Sequence, residues 1–126
     1  MDVERIVESY LRHYEHKRPE DSWALKEVNA TVAANPMDGW KLCCLLVNKA
    51  TSDEVLAYVA AGPLENLLKK HGQTVIDHIE KECAENARLQ LALSGVWGIH
   101  PGTPIFERWY ALMWKYGFAE GKRVPL

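Results

Sequence analysis

SDEVLAYVAAGPLENLLKKHG, residues 52–72, decides how this chain folds. Ser52 can cap a helix, because its hydroxyl accepts a hydrogen bond from an otherwise unpaired amide. Asp53 and Glu54 follow, where negative charge meets the positive end of the helix dipole. Val55, Leu56 and Val59 then share one face at helical spacing. Gly62 and Pro63 read as a corner. Glycine takes a positive φ or serves as a cap, and proline fits the first turn of a second helix, where no amide donor is needed. Glu65 falls where a capping-box carboxylate would sit. Leu64, Leu67 and Leu68 face the core. Lys69, Lys70 and His71 suit a helix C-terminus, His71 as a cap, and Gly72 suits the position just beyond it. The expectation is two short amphipathic helices folded about Gly62-Pro63.

Working outward, both flanks read helical. Residues 73–85 make a longer helix with Val75, Ile76, Ile79, Cys83 and Ala87 on its buried stripe. Asn86 marks a re-cap, and residues 87–93 continue as another helix. Residues 94–102 hold three glycines and a proline and read as a loop. Thr103 then caps, Pro104 takes the first helical position, and a last helix runs to about Tyr116, stopped by Gly117. Residues 118–126 form a tail expected to dock through Phe118 and Val124. On the other side, residues 38–47 are apolar nearly all round, from Trp40 to Val47. A helix of that kind is surrounded by other helices and belongs at the centre of the core. A buried strand is the competing reading, disfavoured because Leu and Cys outnumber β-branched residues. Residues 2–16 give a first helix, with Val3, Ile6, Val7, Tyr10, Leu11 and Tyr14 on one stripe and charges opposite. Pro19 breaks it. Asp21 or Ser22 caps a second helix to about Ala34, with Trp23, Val28 and Val32 inward, and Asn35-Pro36 ends it.

The run AAGPLENLLKKHG, followed by VIDHIEKECAENARLQLALSGVWG, resembles an uncharacterised family of small bacterial proteins, a domain of unknown function. The residues that carry the resemblance are Gly62, Pro63, Leu64, Glu65, Leu67, Leu68, His71, Gly72, Ile76, Ile79, Glu80, Ala84, Val96 and Trp97. They cover roughly the middle half of the chain. The resemblance implies an all-helical domain and supplies no activity.

Global properties narrow the classes. A chain of 126 residues is expected to form one domain with a substantial core. Apolar content of 48% and charged content of 25% are those of a globular protein. The net charge of −2 favours neither nucleic acid nor an anionic membrane. There is no secretory h-region and no apolar run long enough to span a bilayer. Three cysteines, Cys43, Cys44 and Cys83, form no disulfide framework and point to a reducing cytoplasm. The fold class expected is all-α: a compact bundle or short helical-pair array of about six or seven short helices.

Candidates for function are few. In the last helix, Ile105, Phe106, Trp109, Tyr110, Leu112, Met113, Trp114 and Tyr116 spread over roughly 200° of circumference, about twice the width one core contact needs. The helix is either sunk deep in the bundle or offers Trp109, Tyr110 and Trp114 as a docking patch, residue types enriched at interface centres. His13, His16, His71, His78 and His100 lack the spacing of a metal site, and no metal or cofactor is expected. Glu65 and Glu80 are candidate acid–base groups beside His71; the competing reading has Glu65 capping its helix and Glu80 holding a helix end or an arginine. The Cys43-Cys44 pair lies in an apolar run, where thiols are inert packing. A helix-turn-helix at Gly62-Pro63 would put Lys69, Lys70 and His71 at the wrong end of the recognition helix, which argues against nucleic acid. No nucleophile elbow, phosphate loop or HExxH stretch occurs. The expectation is a cytosolic protein-binding module, an immunity or inhibitor protein acting on a toxin or other effector. Its contact surfaces would be the aromatic last helix and the acidic faces near Asp77, Glu82 and Glu85. A phage antagonist of a defence enzyme is one alternative; a small hydrolase-like enzyme using Glu80 or Glu65 with His71 is another.

Overall fold

The computed structural model describes residues 2–118, and its architecture is all-α. Among the described residues there is no strand. The α-helices are α1 (Val3–His16), α2 (Trp23–Ala34), α3 (Pro36–Lys49), α4 (Asp53–Val59), α5 (Glu65–Cys83), α6 (Ala87–Leu93) and α7 (Pro104–Lys115). A short 3₁₀ turn, Pro19–Asp21, precedes α2.

The helix starts follow from side chains that accept an orphan amide. Asp2 accepts from Arg5 and starts α1, and Asn35 accepts from Met37 and Asp38 at 3.0 Å each. The third helix therefore begins at Pro36 rather than Asp38: Asn35-Pro36 ends one helix and starts the next. Ser52 caps α4, Asn86 caps α6 and Thr103 caps α7, with Pro104 in its first turn. Gly117, at φ +85°, stops α7 in a conformation open to glycine.

Gly62-Pro63 is not a corner. Residues Ala60–Leu64 form a π-helical turn, and α4 runs through it into α5 without a reversal. Proline lacks the N–H that an α-helix would use here, and its ring would strike the preceding turn. The wider π turn accommodates it, and the Glu65 amide reaches back five residues to the Ala60 carbonyl. Gly62 takes no positive φ. The tight turn a helix-turn-helix requires is therefore missing at this point. Gly72 is likewise not a helix end but lies buried inside α5. The local signal survives as a kink: His71 has φ −128° and ψ 22°, and the helix resumes beyond it. Gly72 has a tertiary reason to be glycine. A Cβ there would stand 2.6 Å from Cγ1 of Ile105, so α7 crosses α5 at this residue.

The core is centred on α3, which packs against α1, α2, α4, α5 and α6. Trp40, Leu42, Cys43, Leu46 and Val47 are buried on it, as the apolar run requires. Val7, Val28, Leu56, Leu64, Leu67, Ile76, Ile79, Leu93 and Met113 close around them. Arg88 of α6 donates to the carbonyls of Val47 and Ala50, satisfying orphan acceptors at the end of α3. Departures from the expected stripes are peripheral. Val3 is exposed, Ala87 is exposed, and Trp23 is half-buried under the Arg5 guanidinium, 4.6 Å from its ring. Phe118 packs against the core and donates its N–H to Met113; Val124 lies outside the described residues.

Candidate functional site

The three residues of the acid–base alternative are held apart, each with its own partner. Glu65 opens α5 without capping it. Its Oε1 accepts the Trp97 amide at 2.9 Å, and its Oε2 lies 4.0 Å from Lys69 Nζ. It thus ties the 94–103 loop down onto α5. Glu80 accepts from Nε and Nη2 of Arg108 at 3.1 and 2.6 Å, the two-pronged geometry that suits a guanidinium. His71 does not cap its own helix; its Nε2 donates to the Ala33 carbonyl of α2 at 3.2 Å. A carbonyl only accepts, so Nε2 carries the proton. These contacts hold α5 to the loop, to α7 and to α2.

Arg108 of α7 gathers two carboxylates of α5. Nη2 of Arg108 also donates to Asp77 at 2.6 Å, and the Asp77 side chain is 81% exposed. Glu85 is exposed, and Glu82 is half-buried and accepts from Asn86 at 3.1 Å. Among the described residues no group of His, Cys, Asp and Glu side chains is placed to hold a metal ion. The thiols are shielded. Burial pushes Cys83 up to about 12, helped by the charges of Glu82 and Glu80, and burial with Glu82 pushes Cys44 to the same value.

The aromatic residues of α7 divide between core and surface. Trp109 is buried, and its indole N–H donates to the Leu93 carbonyl at 2.9 Å. It packs α7 against α6. Tyr110 is half-buried and Trp114 is 50% exposed. Phe106 joins them: Phe106 and Tyr110 stack at 5.8 Å with planes 10° apart, and Tyr110 meets Trp114 edge-on at 6.4 Å. Spacing of four residues places 106, 110 and 114 in one row along the helix. The row, with Phe106 in place of Trp109, is what the periodicity alone did not resolve.

The sequence profile of a family of unknown function, DUF6869, matches residues 12–115. The chain belongs to that family. No curated protein matches it, and no solved structure matches it. The matched span of the DUF6869 domain runs from the end of α1 to the end of α7, so it takes in the π turn, the Glu65–Trp97 tie and the aromatic row alike. No helix among the described residues is long and apolar enough to cross a membrane.

Proposed function

We propose that this protein is a protein-binding module whose contact face is the outer row of α7. The observation that carries the reading is Trp114: a large amphipathic ring, half-exposed, backed by Tyr110 and Phe106 rather than left free to move. A ring held in place loses little conformational freedom when a partner covers it, and tryptophan and tyrosine are the residues that most often dominate binding energy. Asp77 and Glu82 lie on α5, which packs against α7, and Glu85 lies in the turn that follows it; on this reading they are the acidic border of the face. The partner that fits is a protein with an apolar centre and a basic rim. By analogy with small acidic proteins that lack catalytic motifs, the role is that of an inhibitor or immunity protein set against a toxin or other effector. A phage antagonist of a defence enzyme would use the same face. The enzyme alternative draws no support from Glu65, Glu80 and His71, which make three separate structural contacts rather than one cluster.

The test is capture from the native host by the wild-type protein and by Trp114→Ala, with Tyr58→Ala as an exposed-aromatic control. A basic protein retained by wild type and Tyr58→Ala but lost from Trp114→Ala supports the face. Equal retention by wild type and both variants removes it.

A further inference from the structure

The geometry points to a second site, remote from the aromatic row: the cleft between the kinked middle of α5 and the 97–103 loop binds a small phosphorylated molecule. The cleft encloses about 410 Å³, within the size range of small-molecule sites. Its floor is apolar, formed by Leu68, Ile99 and Ile105. Its rim carries Lys69, Lys70, His71 and His100, with the hydroxyls of Thr74 and Thr103. The carboxylate at its edge is Glu65, whose Oε2 lies 4.0 Å from Lys69 Nζ and is taken up by that lysine. Lys69 is paired with Glu65, His71 Nε2 with the Ala33 carbonyl and the Thr103 hydroxyl with the His100 carbonyl. The donors left to a ligand are Lys70, the His100 ring and the Thr74 hydroxyl; over an apolar floor these suit a phosphate attached to an organic body.

Both walls are fixed in advance. Glu65 holds the loop through the Trp97 amide, and a Cβ at Gly98 would stand 2.5 Å from Glu65 Oε2 and 3.1 Å from Lys69 Nζ. Glycine lets the loop meet the ends of the Glu65 and Lys69 side chains without displacing them. The opposite wall is pinned where His71 donates to Ala33. Lys70 has no ion pair and the His100 ring has no hydrogen-bond partner among the described residues, so both remain available to a ligand. Walls ordered before binding reduce the entropy a ligand must overcome. Ile105 and Trp114 lie nine residues apart on α7, roughly 13 Å along its axis, which separates this cleft from the proposed protein contact.

Ribose 5-phosphate, adenosine monophosphate and inorganic phosphate are the probes, titrated against the full chain, with sulfate and ribose as controls. Backbone amide shifts of Thr74, Gly98 and Ile99 give the readout. The expected result is a saturable shift with at least one organic phosphate below about 10 mM, an affinity range open to small ligands. Lys70→Ala should weaken it roughly tenfold, as loss of a charge-assisted contact does, and His100→Ala should weaken it severalfold through a lost hydrogen bond, while Lys41→Ala on α3 leaves it unchanged. A response to ribose alone of equal size, a response to sulfate that Lys70→Ala does not alter, or no saturable shift with any phosphate would overturn the site.

Discussion

Asp21 is buried at the end of the 3₁₀ turn, where an ionised carboxylate needs partners. Arg12 supplies a two-pronged contact at 2.8 and 2.9 Å, with Arg18 at 3.6 Å. The Arg12 hydrogen bonds hold the Asp21 carboxyl below the usual carboxylate range. A group whose folded value is depressed contributes stability above its unfolded value, near 3.9, and loses it as pH falls towards the folded one. The melting temperature of wild type should therefore fall as acid is added below about pH 4, and Asp21→Asn should start lower and fall less over the same window. Cysteine chemistry gives a second prediction. With Cys44 and Cys83 pushed up to about 12 mainly by burial, a thiol-reactive dye should label the native protein slowly at neutral pH and all three sites promptly in denaturant. Caps such as Ser52, Asn86 and Thr103 were legible in the sequence because cap and amide lie within three residues. The partner of Asp21 was not, since nine residues of chain separate it from Arg12.

Among the helices, the same contrast explains why residues 52–72 carry the local signals of two helices and a corner. Gly-Pro and His-Gly carry strong local stop signals, but each is also the composition a helix needs when something must come close to it. Pro63 is met by a π turn, and Gly72 by Ile105 of α7, 33 residues away. No local pattern contains that second contact. Gly72→Ala should therefore destabilise the fold by about 1–3 kcal/mol, the usual cost of overpacking a close crossing. Ile105→Ala would by itself leave a cavity, yet combined with Gly72→Ala it should cost less than the two separate losses added together. A double-mutant cycle in urea measures that coupling. Additive losses would mean that the α5–α7 crossing does not run through these two residues.

For the whole molecule, the question is which side of α7 serves stability and which is free to serve contact. An aromatic arc of roughly 200° is wider than one core face needs, and the excess was visible in the sequence. Its division was not, because Trp109 and Trp114 differ by five residues, enough to turn one into the bundle and the other out of it. Trp109 fills the junction of α6 and α7 and donates to the Leu93 carbonyl, so Trp109→Ala opens a cavity and removes that hydrogen bond, leaving the carbonyl to the Val96 N–H alone. Its cost should reach about 3–5 kcal/mol, a large share of the stability of a chain this size. Trp114→Ala removes a ring that is half in water and should leave the melting temperature nearly unchanged. Thermal melts of the two variants followed by circular dichroism make the comparison. If Trp114→Ala melted as low as Trp109→Ala, both rings would belong to the core, the excess arc would be packing, and the proposed contact face would lose its anchor.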